Sequence, residues 1–432
     1  MHSNTKSATL APALGDGTCE PLSRRQLLRR GVAAGGAFAT WSLLPVLPAI
    51  AGTRDPRFLL VILRGGLDGL AAVMPVGDPD FARVRGGFME DVTKAGQPLK
   101  LDGMFALNPA MSNLAALYAK REALVVHAVA TPYRERSHFD GQEILESGLS
   151  RAVHGDTGWL NRALALAKAN ERAVVLAGAG RENGVSIGYT VPLVMRGAAP
   201  VLSWSPKHLP HANDDTILRL MMLYESRDPV LAEALRRGVA VEKDTAGMTP
   251  ALMGGGNNGG GAQAMLEMAE GAARLLSKSD GPRVGALSID GWDTHAEEKP
   301  GTGRLGRLLG GLDQLFASLN KGLEPVWKDT VVAVVTEFGR TVRINGTAGT
   351  DHGTATCAFF IGGAVKGGRV LADWPGLSDR SLHEGRDLKP TTDLRAVLKS
   401  VLVEHMGLDR KLIDAQVFPN SDKVAYTGGL FG

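Results

Sequence analysis

Three short stretches of this chain carry carboxylates, two of them with an imidazole alongside. They are Asp290-Gly291-Trp292-Asp293-Thr294-His295, Thr336-Glu337-Phe338-Gly339-Arg340 and Asp351-His352-Gly353. Carboxylate and imidazole together form the donor set of zinc and related divalent ions; manganese and calcium are the other candidates here. A fourth acid, Asp68, lies in the glycine-rich turn Arg64-Gly65-Gly66-Leu67-Asp68-Gly69. Asp68, Asp293, His295, Glu337, Asp351 and His352 are therefore the candidate metal ligands. Each has a plain structural reading beside it: Glu337 and Arg340 as a loop ion pair, Asp351 as a helix cap, Asp68 as a turn residue. Ser137-His138 opens a helical stretch after a strand. There a serine is either an N-cap, as Ser-x-x-Asp suggests, or a nucleophile beside helix amides that favour an anion. Arg134 and Arg136 would add positive charge for a phosphate or sulfate, and His138 or Arg340 would stabilise charge on a transferred group.

Apolar, β-branched or leucine-rich runs precede these acids: Phe58–Leu63, Val284–Ile289 and Thr330–Val335. Such runs read as strands buried on both faces. Strands alternating with helical stretches, such as 303–319 between the last two runs, imply parallel βαβ units. In open α/β sheets, ligands gather beyond the carboxyl ends of the strands. The expected fold is a three-layer α/β structure with a mostly parallel sheet and helices on both faces. A further strand is expected over 355–361, and a last helix over 394–405, with His405 serving the dipole at its carboxyl end. Residues 185–262, which carry short strands or a hairpin and two helical stretches, read as a peripheral inserted cap. The run Gly254 to Gly261 lacks the Lys-Ser/Thr ending of a phosphate loop and any strand leading into it, and reads as a flexible loop.

The chain has 432 residues and a formal charge of +3. Residues 1–51 carry the pattern of a twin-arginine export signal. Ser23-Arg24-Arg25-Gln26-Leu27-Leu28 precedes an apolar stretch from Gly31 to Ile50, and Ala49-Ile50-Ala51 is a small-residue cleavage site. The expected location is periplasmic or secreted, with membrane contact only during export, and residues 52–432 form the mature domain. The leader holds five basic residues and two acids, so the remainder is balanced in charge. That balance gives no basic excess of the kind nucleic acid or an anionic membrane selects. Cys19 lies in the leader and leaves Cys357 alone. Its apolar neighbours make it a buried small hydrophobe, and no intrachain disulfide is expected in the mature chain.

Taken in order, the twin-arginine leader, Leu63 to Gly69, Ser137-His138-Phe139-Asp140-Gly141-Gln142, Asp293-Thr294-His295, Thr336 to Thr341 and Asp351-His352-Gly353 resemble the domain-of-unknown-function family 1501. That family in turn is similar, distantly, to the alkaline phosphatase and sulfatase superfamily. The resemblance implies that Asp68 is the first metal-ligand acid and Ser137 stands at the nucleophile position. It also makes Asp293 and His295 a metal-binding pair, Glu337 the later strand-end acid and His352 the late histidine. The chain departs from the superfamily in three ways. Phe338 follows Glu337 where a histidine is usual, Asp293 and His295 stand unusually close together, and no sulfatase Cys/Ser-x-Pro-x-Arg motif surrounds Ser137.

The expected function is an exported, metal-dependent hydrolase of phosphate or sulfate esters, its partner a small anionic ester. The alternative is a non-catalytic binding or assembly protein of the cell envelope on a degenerate form of the same fold. A redox role has no support, since there is no cysteine cluster, haem motif or dinucleotide fingerprint.

Overall fold

The computed structural model describes residues 54–169, 183–206, 214–244 and 261–432. The expected leader, most of the glycine-rich run and a short strand expected at 173–176 lie outside the described residues.

Twelve strands are present among the described residues: β1 (Arg57–Leu63), β2 (Val73–Met74), β3 (Leu99–Lys100), β4 (Ala106–Leu107), β5 (Ala123–Ala130), β6 (Gly184–Ile187), β7 (Val201–Trp204), β8 (Val284–Ile289), β9 (Thr330–Thr336), β10 (Thr356–Ile361), β11 (Arg369–Leu371) and β12 (Thr392–Asp393). β2, β3 and β4 make a small antiparallel sheet. The main sheet runs β11-β5-β10-β9-β1-β8-β6-β7, with β12 also on β5.

β1 sits near the middle, parallel to both β8 and β9. Its alternation explains the three layers. Leu59, Val61 and Leu63 face one cluster, with Met265, Leu309 and Phe316 from the helices Ala262–Leu276 and Arg304–Gly322. Phe58, Leu60 and Ile62 face the other, with Trp159, Leu160 and Val397 from the helices Trp159–Ala169 and Leu394–Ser400. A strand covered on both faces needs apolar residues at every position, which is why β1 and β9 read as unbroken apolar runs.

The strand expected at 355–361 is present as β10, and it runs antiparallel to both β5 and β9. The chain between β9 and β10 carries no helix, so it returns without the crossover that parallel pairing requires. The region from 185 is also not wholly peripheral: β6 and β7 pair in parallel and extend the main sheet beyond β8. Only the helices Asp214–Arg227 and Pro229–Asp244 stand outside that sheet. His405 differs as well. It is buried, its Nε2–H donates to the Arg57 carbonyl, and burial pushes its pKa down to about 4, so it is neutral and does not serve a helix dipole. Cys357 is buried and free, and burial raises its thiol pKa, as its apolar neighbours imply.

All strands of the main sheet except β10 point the same way, so the carboxyl ends of β1, β5, β8 and β9 share one rim. The candidate residues arrive at this rim.

Candidate metal centre

Asp293 is the focus. It follows β8, and its place is set by Gly65 at the end of β1. Gly65 has φ +121°, and a Cβ there would fall 2.4 Å from the Asp293 nitrogen, so no other residue lets the two loops approach so closely. Three imidazoles surround this carboxylate. His352 Nε2 is 3.2 Å and His295 Nε2 is 3.0 Å from Asp293 Oδ1, and His138 Nε2 is 3.4 Å from Oδ2. The two nitrogens of His295 and His352 are themselves 3.0 Å apart. The ligand atoms of His138, Asp293 and His352 all lie within 4.8 Å of one another.

Each ring is held from behind by an oxygen that can only accept. His138 Nδ1 is 2.9 Å from Glu337 Oε1, His352 Nδ1 is 2.9 Å from the Arg136 carbonyl, and His295 Nδ1 is 3.3 Å from Asp351 Oδ1. These contacts require N–H at Nδ1 and leave Nε2 as the atom turned toward Asp293. Imidazoles backed by carboxylates or carbonyls are the usual arrangement around a bound metal. Glu337 is itself fully committed. Its Oε1 also accepts from the Gly65 N–H at 2.8 Å and from Gln142 at 3.1 Å, and its Oε2 accepts from the Thr336 hydroxyl at 2.9 Å.

The electrostatics follow from this geometry. Hydrogen bonds to Asp293 and then to Glu337 raise the His138 pKa to about 9, against the opposing effect of burial. Burial would raise Asp293, but the His138 and His352 rings and the Arg340 guanidinium beside it outweigh that and hold Asp293 far below the usual carboxylate range. Arg340 is buried. Its Nη1 donates to Asp293 Oδ1 at 2.6 Å, while its Nη2 and Nε donate to the carbonyl and hydroxyl of Thr350.

A divalent ion fits these residues. Zinc ligands at about 2.0–2.2 Å in a tetrahedron stand roughly 3.3–3.6 Å apart. The contacts among the three Nε2 atoms and Asp293 quoted above span 3.0–3.4 Å. His138 Nε2 is buried and faces Asp293 Oδ2 at 3.4 Å. Lone pairs of His295 and His352 face each other across 3.0 Å beside a carboxylate, an arrangement that calls for a cation or an extra proton between them.

Several expectations change. Glu337 and Asp351 stand behind histidines rather than at the convergence point, because their oxygens are spent on orienting His138 and His295. Asp68 is removed from the centre altogether. It caps the helix Gly69–Ala72 and is locked to Arg85, with Nη1 2.5 Å from Oδ2 and Nη2 3.1 Å from Oδ1. His138, expected only to stabilise charge, supplies a convergent nitrogen instead. Its ring lies against that of Phe338, tilted, at 4.9 Å between centroids.

Ser137 precedes the helix His138–Ser147, but its side chain makes no capping bond to it. Arg136 is paired with Asp387 at 2.8 Å and Glu384 at 2.5 Å, whereas Arg134 donates through Nη1 to the carbonyls of Thr131 and Tyr133.

No curated protein matches the chain. Among solved structures, the chain is similar to the phosphonate monoester hydrolase of Agrobacterium radiobacter, at 12% identity over 82% of this chain and 74% of that one, with a TM-score of 0.39. It is similar to a protein in the alkaline phosphatase superfamily from Vibrio parahaemolyticus, at 12% identity over 82% and 67% of the two chains and a TM-score of 0.39. It is also similar to the zinc-complexed C-terminal periplasmic domain of EcEptC from Escherichia coli, at 12% identity over 88% and 92% and a TM-score of 0.35. The family model described as "protein of unknown function (DUF1501)" matches residues 121–417, well over half the sequence, and the chain belongs to that family.

Proposed function

We propose that the protein is an exported metal-dependent hydrolase of phosphate or sulfate esters, with the metal held by His138, Asp293 and His352 and with His295 beside them. The observation that carries this reading is the convergence of three Nε2 atoms on one carboxylate, one of them buried. A bound divalent ion would supply Lewis-acid activation of an ester oxygen and a lowered pKa for a coordinated nucleophile. The chain's own residues do the rest. Glu337 keeps the His138 proton on Nδ1, the Arg136 carbonyl does the same for His352, and Asp351 turns His295. Arg340 holds Asp293 in place and keeps it ionised. Ser137, adjacent to His138 and not engaged in capping, is the nucleophile in this reading. Export rests on the twin-arginine pattern of residues 23–28. Among the described residues, no helix is long and apolar enough to cross a membrane.

The test is metal analysis of purified protein together with an aryl phosphate and aryl sulfate panel. Bound metal, and turnover that Ser137→Ala and His352→Ala abolish, support the proposal; metal-free protein without turnover rejects it. A second reading, a non-catalytic envelope binding protein, is favoured by one feature: Arg136 and Arg340 are both held by internal carboxylates, Asp387 and Glu384 for the first and Asp293 for the second. Co-purification of an envelope protein without metal would support it.

A further inference from the structure

We infer that the centre takes one divalent ion and not two, because Arg85 is the built-in cation of the neighbouring acid cluster. This rests on the metal reading above. Four oxygens receive the Arg85 guanidinium. They are both carboxylate oxygens of Asp68, the Thr341 carbonyl at 2.8 Å and the Val342 carbonyl at 2.6 Å. Asp68 and Arg85 are each only 1% exposed. Glu298 lies beside them, fully buried, with Oε2 accepting from the Thr350 hydroxyl at 2.7 Å and Oε1 without a partner.

Two buried carboxylates around oxygen-only donors are the ligand chemistry of a hard divalent ion. Here a guanidinium fills that place. Its fork matches the carboxylate of Asp68 in two-point contact, and its remaining donors meet the two carbonyls. One positive charge neutralises one carboxylate. Burial and then the charge of Asp68 push the second carboxyl, Glu298, well above its ordinary range. Asp68 and Arg85 offset each other charge for charge, burial disfavours the ionised form of Glu298, and burial of a further divalent cation would be uncompensated.

The same loop ties this cluster to the metal centre without merging them. Thr341 and Val342, which receive Arg85, directly follow Arg340, which holds Asp293. Thr350 donates its hydroxyl to Glu298 and receives Arg340. Arg85 and Arg340 therefore act as two fixed cations, one for each acid group, and only the imidazole side of Asp293 is left open to an ion.

The experiment is to strip the full mature chain with a chelator, reload it with zinc or manganese, remove excess by gel filtration and count metal per chain by mass spectrometry. One equivalent is expected, and two would overturn the inference. None would overturn the metal reading itself along with it, so the two failures are distinguishable. Glu298→Gln replaces the carboxyl with an uncharged amide of the same shape. It should keep one equivalent and change the metal dissociation constant by less than about threefold; loss of the metal would overturn the inference. Asp68→Asn, if it folds, should likewise keep its equivalent.

Discussion

The proton on His138 should compete with the metal, and the competition has a calculable size. In the metal-free protein His138 titrates at about 9, held up by hydrogen bonds to Asp293 first and Glu337 second. Its ordinary value is about 6.5. Between these values the ring carries a second proton at Nε2, which an incoming ion must displace. Metal affinity should therefore rise about tenfold per pH unit from pH 7 to 9, at most about 100-fold in all, and level off above that. Stability of the metal-free protein should move the other way. A raised folded-state pKa gives a contribution present in full below about 6.5 and lost as the pH rises through about 9. A shift of this size corresponds to roughly 3 kcal/mol at most, and solvent screening of this partly exposed ring reduces it to about 1–2 kcal/mol.

Glu337→Gln is the informative variant. Glutamine still offers Oε1 to the Gly65 amide and His138, but it removes the negative charge. It should cost about 2–3 kcal/mol of stability, the scale for losing charge-assisted hydrogen bonds in a buried site. It should also lower the His138 pKa toward the ordinary value. The slope of affinity against pH between 7 and 9 should then flatten, since part of the proton competition is gone. The assay is zinc competition against a chromogenic chelator at each pH, corrected for the chelator's own protonation. A wild-type affinity that does not change between pH 7 and 9, or a glutamine variant with an undiminished slope, would refute the reasoning.

Three other outcomes are expected. His352→Ala removes a nitrogen that faces both Asp293 and His295, and it should lower zinc affinity at least 100-fold in the same chelator assay while leaving far-ultraviolet circular dichroism unchanged. Ser137→Ala should cost less than about 0.5 kcal/mol in urea unfolding, because its hydroxyl does not cap the helix, yet it should abolish any turnover; a large loss of stability would restore the capping role. Gly349→Ala would put a methyl group 2.3 Å from the His295 carbonyl carbon. The displaced His295 should weaken metal binding about 10-fold without touching a ligand atom, as read by isothermal titration calorimetry.

Much of the architecture was legible in the residue pattern because burial leaves a one-dimensional trace. A strand covered on both faces must be apolar throughout, so Phe58–Leu63, Val284–Ile289 and Thr330–Val335 announce themselves, and each is a strand. The direction of β10 left a fainter mark, the missing helix between β9 and β10. The placing of β6 and β7 against β8 left none, because pairing partners are chosen across space.

The candidate site divides in the same way. Asp293, His295 and His352 belong to short acid–histidine motifs, and the sequence alone names them as candidates alongside Asp68, Glu337 and Asp351. The roles of the remaining acids were set by tertiary contacts. Asp68, Glu337 and Asp351 are the same chemical type as Asp293, and no local feature distinguishes a ligand from the residue that orients one. What separates them is which cation or imidazole reaches each carboxylate first: Arg85 for Asp68, His138 for Glu337, His295 for Asp351. His138 itself comes from a helix 155 positions away from Asp293 in the chain. Its part in the centre exists only because the sheet brings the ends of β5, β8 and β9 to one rim. A carboxylate's identity is written in its residue, but its charge and its availability depend on partners that only folding supplies.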